Sequence, residues 1–401
     1  MGEVLVARRQ PGGHTADTAG GSTRAVHMSW SDAYATARDA AKPLAAELSP
    51  VVAATGRVLA TAVRCERPVP AFDNAAMDGY AVAGDGPWAV RGRVLAGSAV
   101  DGGLAPGTAV EIATGALLPD GAEAVLPYED CRVEDDLVIG VIGARRHIRR
   151  AGDALCPGTL IAPAGRVVTA TIAAAALQAG AEQVLAQRPP TVTMLVTGDE
   201  VITAGSPGPG QVRDTFTGLV TAITDRAGGR LVTSQRLPDD PAALTAALAA
   251  AVTDVIVVSG SSSAGAADHL HRLLGEATAT WLVRGVACRP GHPQALAVLP
   301  DGRFVVSLPG NPYAGLVAAL TLLEPLVAAL AGRPPASLPT ATVTGPVKLM
   351  PGGVRIVPVG PDGDLAAAGP VGLHAAAAAG SLAVLPADWA DGDPAVTLVV
   401  P

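Results

Sequence analysis

Between Pro190 and Leu330 the chain alternates short Val-rich runs with segments of helical spacing, and few folds accept that alternation. TVTMLVTGDE reads as a strand running into a loop, TFTGLVTAITDRAGG as a helix and RLVTSQRL as a second strand. DPAALTAALAAAV reads as a helix capped by Asp240, and TDVIVVSGS as a fully buried strand. The helix AADHLHRLLGE follows, then WLVRGVACRPG, ALAVLP and RFVVSLPG, and then a long apolar helix from Tyr313 to Leu330. Strands separated by helices predict βαβ units. The expected fold class is therefore α/β and multidomain, with a three-layer α/β domain over residues 189–333 built on a parallel-rich sheet.

In such a domain ligands gather at the carboxyl ends of the strands. The loops at those ends carry Thr197 to Glu200 (TGDE), Asp239 to Pro241, Ser259 to Ala267 leading to Asp268, and LPGNP from Leu308 to Pro312. Ser261, Ser262 and Ser263, with the glycines around them, could present hydroxyls and amides to an anion. Glu200, Asp239 and Asp268 could hold Mg²⁺, which takes oxygen ligands and bridges carboxylates to phosphates. Asp, Ser and Gly are also the ordinary residues of helix caps and turns, so pattern alone leaves both readings open. Other chemistries drop out: GSPGPG is not a dinucleotide fingerprint, no Walker lysine occurs, SSSAG lacks the first glycine of a nucleophile elbow, and His269 and His271 are two apart on a helix.

The flanks differ in texture. Residues 28–63 read as two amphipathic helices with Ser31 or Ser49 as caps, residues 67–142 as a β-rich module, and TATIAAAALQAG as a helix ending at Gly180. Beyond about Pro334, short β runs predict a small barrel or sandwich. The expected division is a disordered tail at 1–25, a helical linker subdomain from 26–66 and 145–188, a β-rich module at 67–144, the α/β domain, and a C-terminal β barrel at 334–401. Hydrophobic residues make up 49% of the chain but aromatics only 3%, so the cores are expected to use small side chains. No uninterrupted apolar run of membrane-spanning length is read, and the first 25 residues lack the core of a secretory leader, so a cytoplasmic protein off the membrane is expected. The scattered cysteines, Cys65, Cys131, Cys156 and Cys288, indicate neither a disulfide framework nor a zinc site, and inert thiols are expected. A net charge of -8 without a basic stripe argues against nucleic acid as the main partner.

The most specific stretch is PAFDNAAMDGYAV, Pro70 to Val82. Together with TGDE, LPDDP at Leu237, RPGHP at Arg289 and LPGNP, in that order, it resembles the molybdopterin molybdenumtransferase family, a family that includes the gephyrin E domain. The resemblance runs from about residue 28 to the end. It implies an elongated homodimer of four subdomains that takes adenylylated molybdopterin and molybdate with Mg²⁺, inserts the molybdenum and releases AMP. It places Asp78 and Thr114 in a cleft shared between subunits, and makes Glu200, Asp239 and Asp268 the acidic, metal-holding site beside Asp78. It sets Arg289 and His292, where the family usually has lysines, against molybdate or phosphate. Pro309 and Pro312 would shape the adjoining loop, and Asp214 would line the substrate site. Gly79 is expected to permit a tight turn that projects Asp78, and Asp73 to cap that turn with its own side chain.

The sequence departs from the family at several of these positions. The glycine-rich loop reads GSSSAG, with Ser261 in place of a glycine. A carboxylate position is Ala154, with Asp153 beside it; an asparagine position is Phe216; a lysine position is Gly285, with Arg284 beside it. Two functions are consistent with these changes: a divergent insertion enzyme, or a dimer that holds a pterin, nucleotide or protein partner without turnover.

Overall fold

The structure, a computed structural model, describes residues 27–98, 102–260, 266–335, 337–365 and 372–401, with the side chains of 266–268 outside the description. The expected disordered tail at 1–25 and the serines Ser261, Ser262 and Ser263 lie outside the described residues.

Trp30–Asp39 forms helix α1, capped by Ser29, whose hydroxyl accepts from the Asp32 amide. The expected second helix is absent. Ala46–Pro50 is instead a strand paired antiparallel with Gln183–Gln187, and Ser49 sits inside it. Pro43 and Pro50 bound that stretch, and proline both removes a helix donor and biases the preceding residue toward extended backbone.

The β-rich module comprises β1 (Gly79–Ala83), β2 (Trp88–Val94), β3 (Thr108–Ile112), β4 (Ala124–Pro127), β5 (Cys131–Glu134) and β6 (Leu137–Gly140). They form one sheet in the order β4-β1-β3-β2-β6-β5. Gly79 opens β1 directly opposite Pro127. A Cβ there would lie 1.9 Å from the Leu126 carbonyl oxygen, so the glycine is required by close strand approach and not, as expected, by a turn. The connector holds helix α2 (Ala170–Gln178) and the ribbon pairing Val63–Arg64 with Leu160–Ala162. It is thus more β than the expected helical linker, and α1 packs elsewhere.

The α/β unit runs through β7 (Thr191–Thr197), α3 (Phe216–Arg226), β8 (Arg230–Leu237), α4 (Pro241–Ala250), β9 (Val255–Ser259), α5 (Ala266–Glu276), β10 (Thr280–Arg284), β11 (Cys288–Arg289), β12 (Ala295–Val298), β13 (Phe304–Leu308) and α6 (Pro312–Leu330). Its sheet has the order β8-β7-β9-β13-β12-β10. The first four strands are parallel, and β12 runs antiparallel to both its neighbours. Every residue of β9 and β13 is buried, as a sheet covered on both faces requires.

Helix α6 is long and apolar enough to cross a membrane, but 83% of its most apolar window is buried inside the protein, where it serves as the core helix. It is α-helical at both ends with a π segment at Ala319–Leu323. Within that segment Thr321 accepts a hydrogen bond of 3.0 Å from the buried Trp30 indole, which docks α1 onto this core.

The C-terminal residues supply β14 (Thr340–Thr342), β15 (Val354–Val359), α7 (Leu373–Ala379), β16 (Ser381–Pro386) and β17 (Pro394–Val399). Their sheet, β11-β15-β16-β17-β14, is open, a half-barrel where a small barrel or sandwich is expected, and its edge strand β11 comes from the α/β unit. All four cysteines are free; Cys65 and Cys288 are buried, whereas Cys156 is exposed.

Asp254 fastens the amino edge of the main sheet. Its carboxylate accepts two bonds from Arg188, at 2.7 and 3.0 Å, and two from the amide and hydroxyl of Thr191. Burial pushes its pKa upward, but these four donors outweigh burial and hold it below the ordinary carboxylate range. A depressed folded pKa stabilises above the unfolded value, and that stability is lost as pH falls through the folded value. Asp254→Asn is therefore expected to cost about 1.5–3 kcal/mol at pH 7. The melting-temperature gap between parent and variant should close as the pH is taken below about 4.

Candidate active site

Parallel strands deliver their following loops to one edge of the sheet, and here three of those loops meet backbone to backbone. The Thr197 hydroxyl at the end of β7 donates to the Ser259 carbonyl at 2.6 Å. Gly260 has φ +81°, and a Cβ on it would stand 2.6 Å from the Thr197 hydroxyl. A Cβ on Gly310 would in turn touch the Gly260 Cα at 3.4 Å.

Glu200 is exposed and folds back over Gly198, with Oε2 2.5 Å from where a Gly198 Cβ would be. The turn is clamped by a residue that the sequence does not single out. Arg236, near the end of β8, donates to the Gly198 carbonyl at 3.0 Å and to the Asp199 carbonyl at 3.1 Å. Its position inside a strand makes it look like one more solvated surface charge.

Asp239 is exposed on the neighbouring loop, while Asp240 caps α4 through the Ala242 amide. Leu237 pairs with Thr197, so the loops bearing Asp239 and Glu200 leave adjoining strand ends. Asp268 lies in the first turn of α5, and its side chain is outside the description. Among the described residues no three His, Cys, Asp or Glu side chains form a ready-made metal cage. Asp214 is committed to the start of α3: one oxygen accepts the Phe216 and Thr217 amides and the other the Thr217 hydroxyl. Pro312 is the first residue of α6, behind Asn311 as N-cap, and Pro309 is buried in front of it.

Arg289 and His292 are exposed on the loop joining β10 to β12. That loop reaches back toward α6, where a Cβ on Gly291 would lie 3.3 Å from the Ala314 carbonyl. Burial pulls the His292 pKa below its ordinary value, and the neighbouring His27 and Arg289 pull it further, which favours the neutral ring. Two departures from the family have local explanations. Phe216 is buried against α6, with a ring carbon 2.2 Å from where a Gly315 Cβ would be, so it packs where a polar residue would have bonded. Arg284 does not replace the side chain missing at Gly285, because its guanidinium stacks 4.9 Å over the Trp281 ring.

The module carries the second group of expected residues. Asp78 Oδ1 accepts the Thr114 amide at 2.6 Å and the Thr114 hydroxyl at 2.9 Å. Those bonds, the amide foremost, lower its pKa and keep it ionised. Asp73 does not cap its own turn. Its carboxylate takes the Ala151 amide and the Arg150 guanidinium, tying the Pro70–Val82 stretch to the connector. Asp153 does not stand in for the carboxylate missing at the exposed Ala154, because its Oδ2 accepts the Arg150 amide at 2.7 Å.

The α/β unit bears acidic and basic loops on its carboxyl edge and is joined to a β module with a paired aspartate, and the class of protein that this chain matches is that of molybdopterin-binding proteins of cofactor synthesis. Two family descriptions match: "MoeA N-terminal region (domain I and II)" over residues 28–180 and "Probable molybdopterin binding domain" over residues 193–329. A molybdopterin molybdenumtransferase of Nostoc sp. is 31% identical over 303 residues, which is 71% of this chain and 70% of that one. Molybdopterin molybdenumtransferase 2 of Mycobacterium tuberculosis is 32% identical over 323 residues, covering 74% and 80%. The crystal structure of a molybdopterin biosynthesis moeA protein from Pyrococcus horikosii has the same fold, with a TM-score of 0.72 at 24% identity over 94% of this chain and 99% of that one. This chain belongs to the molybdopterin molybdenumtransferase family. It is a transferase of molybdenum cofactor biosynthesis, and the alternative of a dimer without turnover gains no support from these relatives.

The clamp on the TGDE turn is directly testable. Arg236→Ala removes charge-assisted bonds worth about 1.5 kcal/mol, a factor of about ten in a local opening equilibrium. Amide exchange at Gly198 to Val201 should speed up by about that factor while exchange in β9 stays unchanged.

Proposed function

We propose that the chain joins molybdenum from molybdate to adenylylated molybdopterin, with release of AMP, at the carboxyl edge of its α/β sheet. The observation that carries this reading is that one edge of the sheet bears the acidic loops after β7 and β8 on one flank and the cationic Arg289–His292 loop on the other. One side suits a metal and the other an oxyanion.

The exposed carboxylates of Glu200 and Asp239 are the hard oxygen donors that Mg²⁺ prefers, and Mg²⁺ keeps few protein ligands when substrate phosphates supply the rest. We assign them to that ion, with Asp268 as the third member. When bound, Mg²⁺ supplies positive charge against the pyrophosphate oxygens. The Arg289 fork orients an oxyanion through paired N–H donors, and His292, neutral at rest, can take a proton as the anion arrives. Hydrolysis of the phosphoanhydride adds a water oxygen to one phosphorus as the bond to the other phosphate breaks and AMP leaves, and the proton of that water needs an acceptor. Asp78 is ionised, with one oxygen fixed by Thr114, which leaves the other for that role.

Within one chain no hydrogen bond or ion pair among the described residues joins the Asp78–Thr114 pair to the carboxyl-edge loops, which favours a homodimer in which a second copy delivers Asp78. In the proposed roles, Asp214 acts by placing α3, and Pro309 and Pro312 by placing the start of α6.

The test is AMP release from adenylylated molybdopterin in the presence of molybdate and Mg²⁺. Asp78→Asn and Glu200→Gln should each lower the rate by about 100-fold or more while leaving the melting temperature in place. Parental rates in either variant would remove that residue from the site.

A further inference from the structure

Ahead of α1, His27 stands over the loop that follows β10. Its seat is fixed by the backbone: Met28 N–H donates to the Gly285 carbonyl at 3.3 Å, and Ala287 N–H donates to the Met28 carbonyl at 2.8 Å. Gly285 makes the seat possible. A Cβ there would lie 2.5 Å from His27 Nδ1 and 3.0 Å from Cε1, and φ is +83°, so a side chain at 285 and His27 in this place exclude each other.

The His27 ring sits edge-on to His292 with centroids 6.0 Å apart, and both residues are exposed. Arg289 lies on the same loop, and its register partner across β11 and β15 is Arg355, whose Nε is buried without a hydrogen-bond partner. Three basic side chains, His27, Arg289 and His292, thus collect here with Arg355 in register beside Arg289, and none of the four has an ion-pair partner among the described residues. In the first turn of α1, Asp32 is held by the Ser29 hydroxyl at 2.6 Å, and on the far side Arg284 is stacked on Trp281. A cluster of bases that repel one another and lack a counter-charge is a site for an anion.

We propose that His27 is a further oxyanion-binding residue of the molybdate subsite, working with Arg289 and His292, and that oxyanion capture by this chain is coupled to proton uptake. The inference rests on the proposed function for the identity of the oxyanion. The imidazole occupies the space of the side chain absent at 285 and sets ring nitrogens where that side chain would have stood. A dianion bound against the exposed edges of the two rings favours their protonated forms, so binding strengthens as pH falls.

The experiment is calorimetric titration of the full chain with sodium molybdate at pH 6.5 and pH 8.5 in phosphate-free buffer. Parental affinity should be about tenfold tighter at the lower pH. His27→Gln, which keeps hydrogen-bonding capacity without a titrating charge, should cut that ratio to about twofold. His27→Lys should restore tight binding with little pH dependence. A parental affinity that is flat with pH, or a His27→Gln variant indistinguishable from the parent, would overturn the proposal. AMP release run in parallel separates the two readings. Proton-linked molybdate binding without AMP release refutes the transferase reading alone, whereas AMP release with a molybdate KM unmoved by His27→Gln refutes this one alone.

Discussion

A parallel sheet buried on both faces leaves its chain few choices. Each strand must be followed by a crossover that returns to the opposite end, so the loops that leave β7, β8, β9 and β13 emerge along one edge. Everything chemically notable in the α/β unit is a consequence of that rule. Glu200, Asp239, Gly260 and the LPGNP turn lie far apart in sequence and become neighbours because the strands carrying them point the same way. The loop after β10 joins them from the sheet's other flank, because β12 is antiparallel and turns β10 back into line with β13.

Glycine does different work at different places along this edge and in the module. Gly79 and Gly260 are needed because another backbone approaches within 3 Å of where a Cβ would sit, whereas Gly285 makes room for an aromatic ring from a remote part of the chain. Substitutions that look like losses of function in the linear sequence therefore have packing counterparts in three dimensions. Phe216 is a lid on α6 and Gly285 is a seat for His27.

Much of this was readable from the sequence. The βαβ rhythm gave the sheet and its ligand-bearing edge, because period and turn chemistry are local properties. The family motifs pointed to Asp78 and Thr114, and the structure joins those two by hydrogen bonds. The second helix after α1 failed because its apolar spacing overrode the two prolines that bound the strand. The C-terminal β runs predict a small barrel or sandwich but not its edge strand, because β11 comes from a segment some 50 residues upstream, counting from Arg289 to Thr340. Arg236, His27 and the partners of Asp73 were invisible for one shared reason. Each acts on a backbone or ring distant in sequence, and no spacing rule reports such contacts.

The hydrogen bond between Trp30 and Thr321 spans a separation of 291 residues, and it sets an order of events on the ribosome. Helix α1 leaves the exit tunnel early, yet the surface that buries its indole is not made until α6 is translated. At about 5–20 residues per second the wait is roughly 15–60 s, during which an apolar helix face has no native partner. The β module, complete by Gly140, can fold in that interval. The nascent chain can therefore hold a folded β module while α1 still waits for the core that buries its indole.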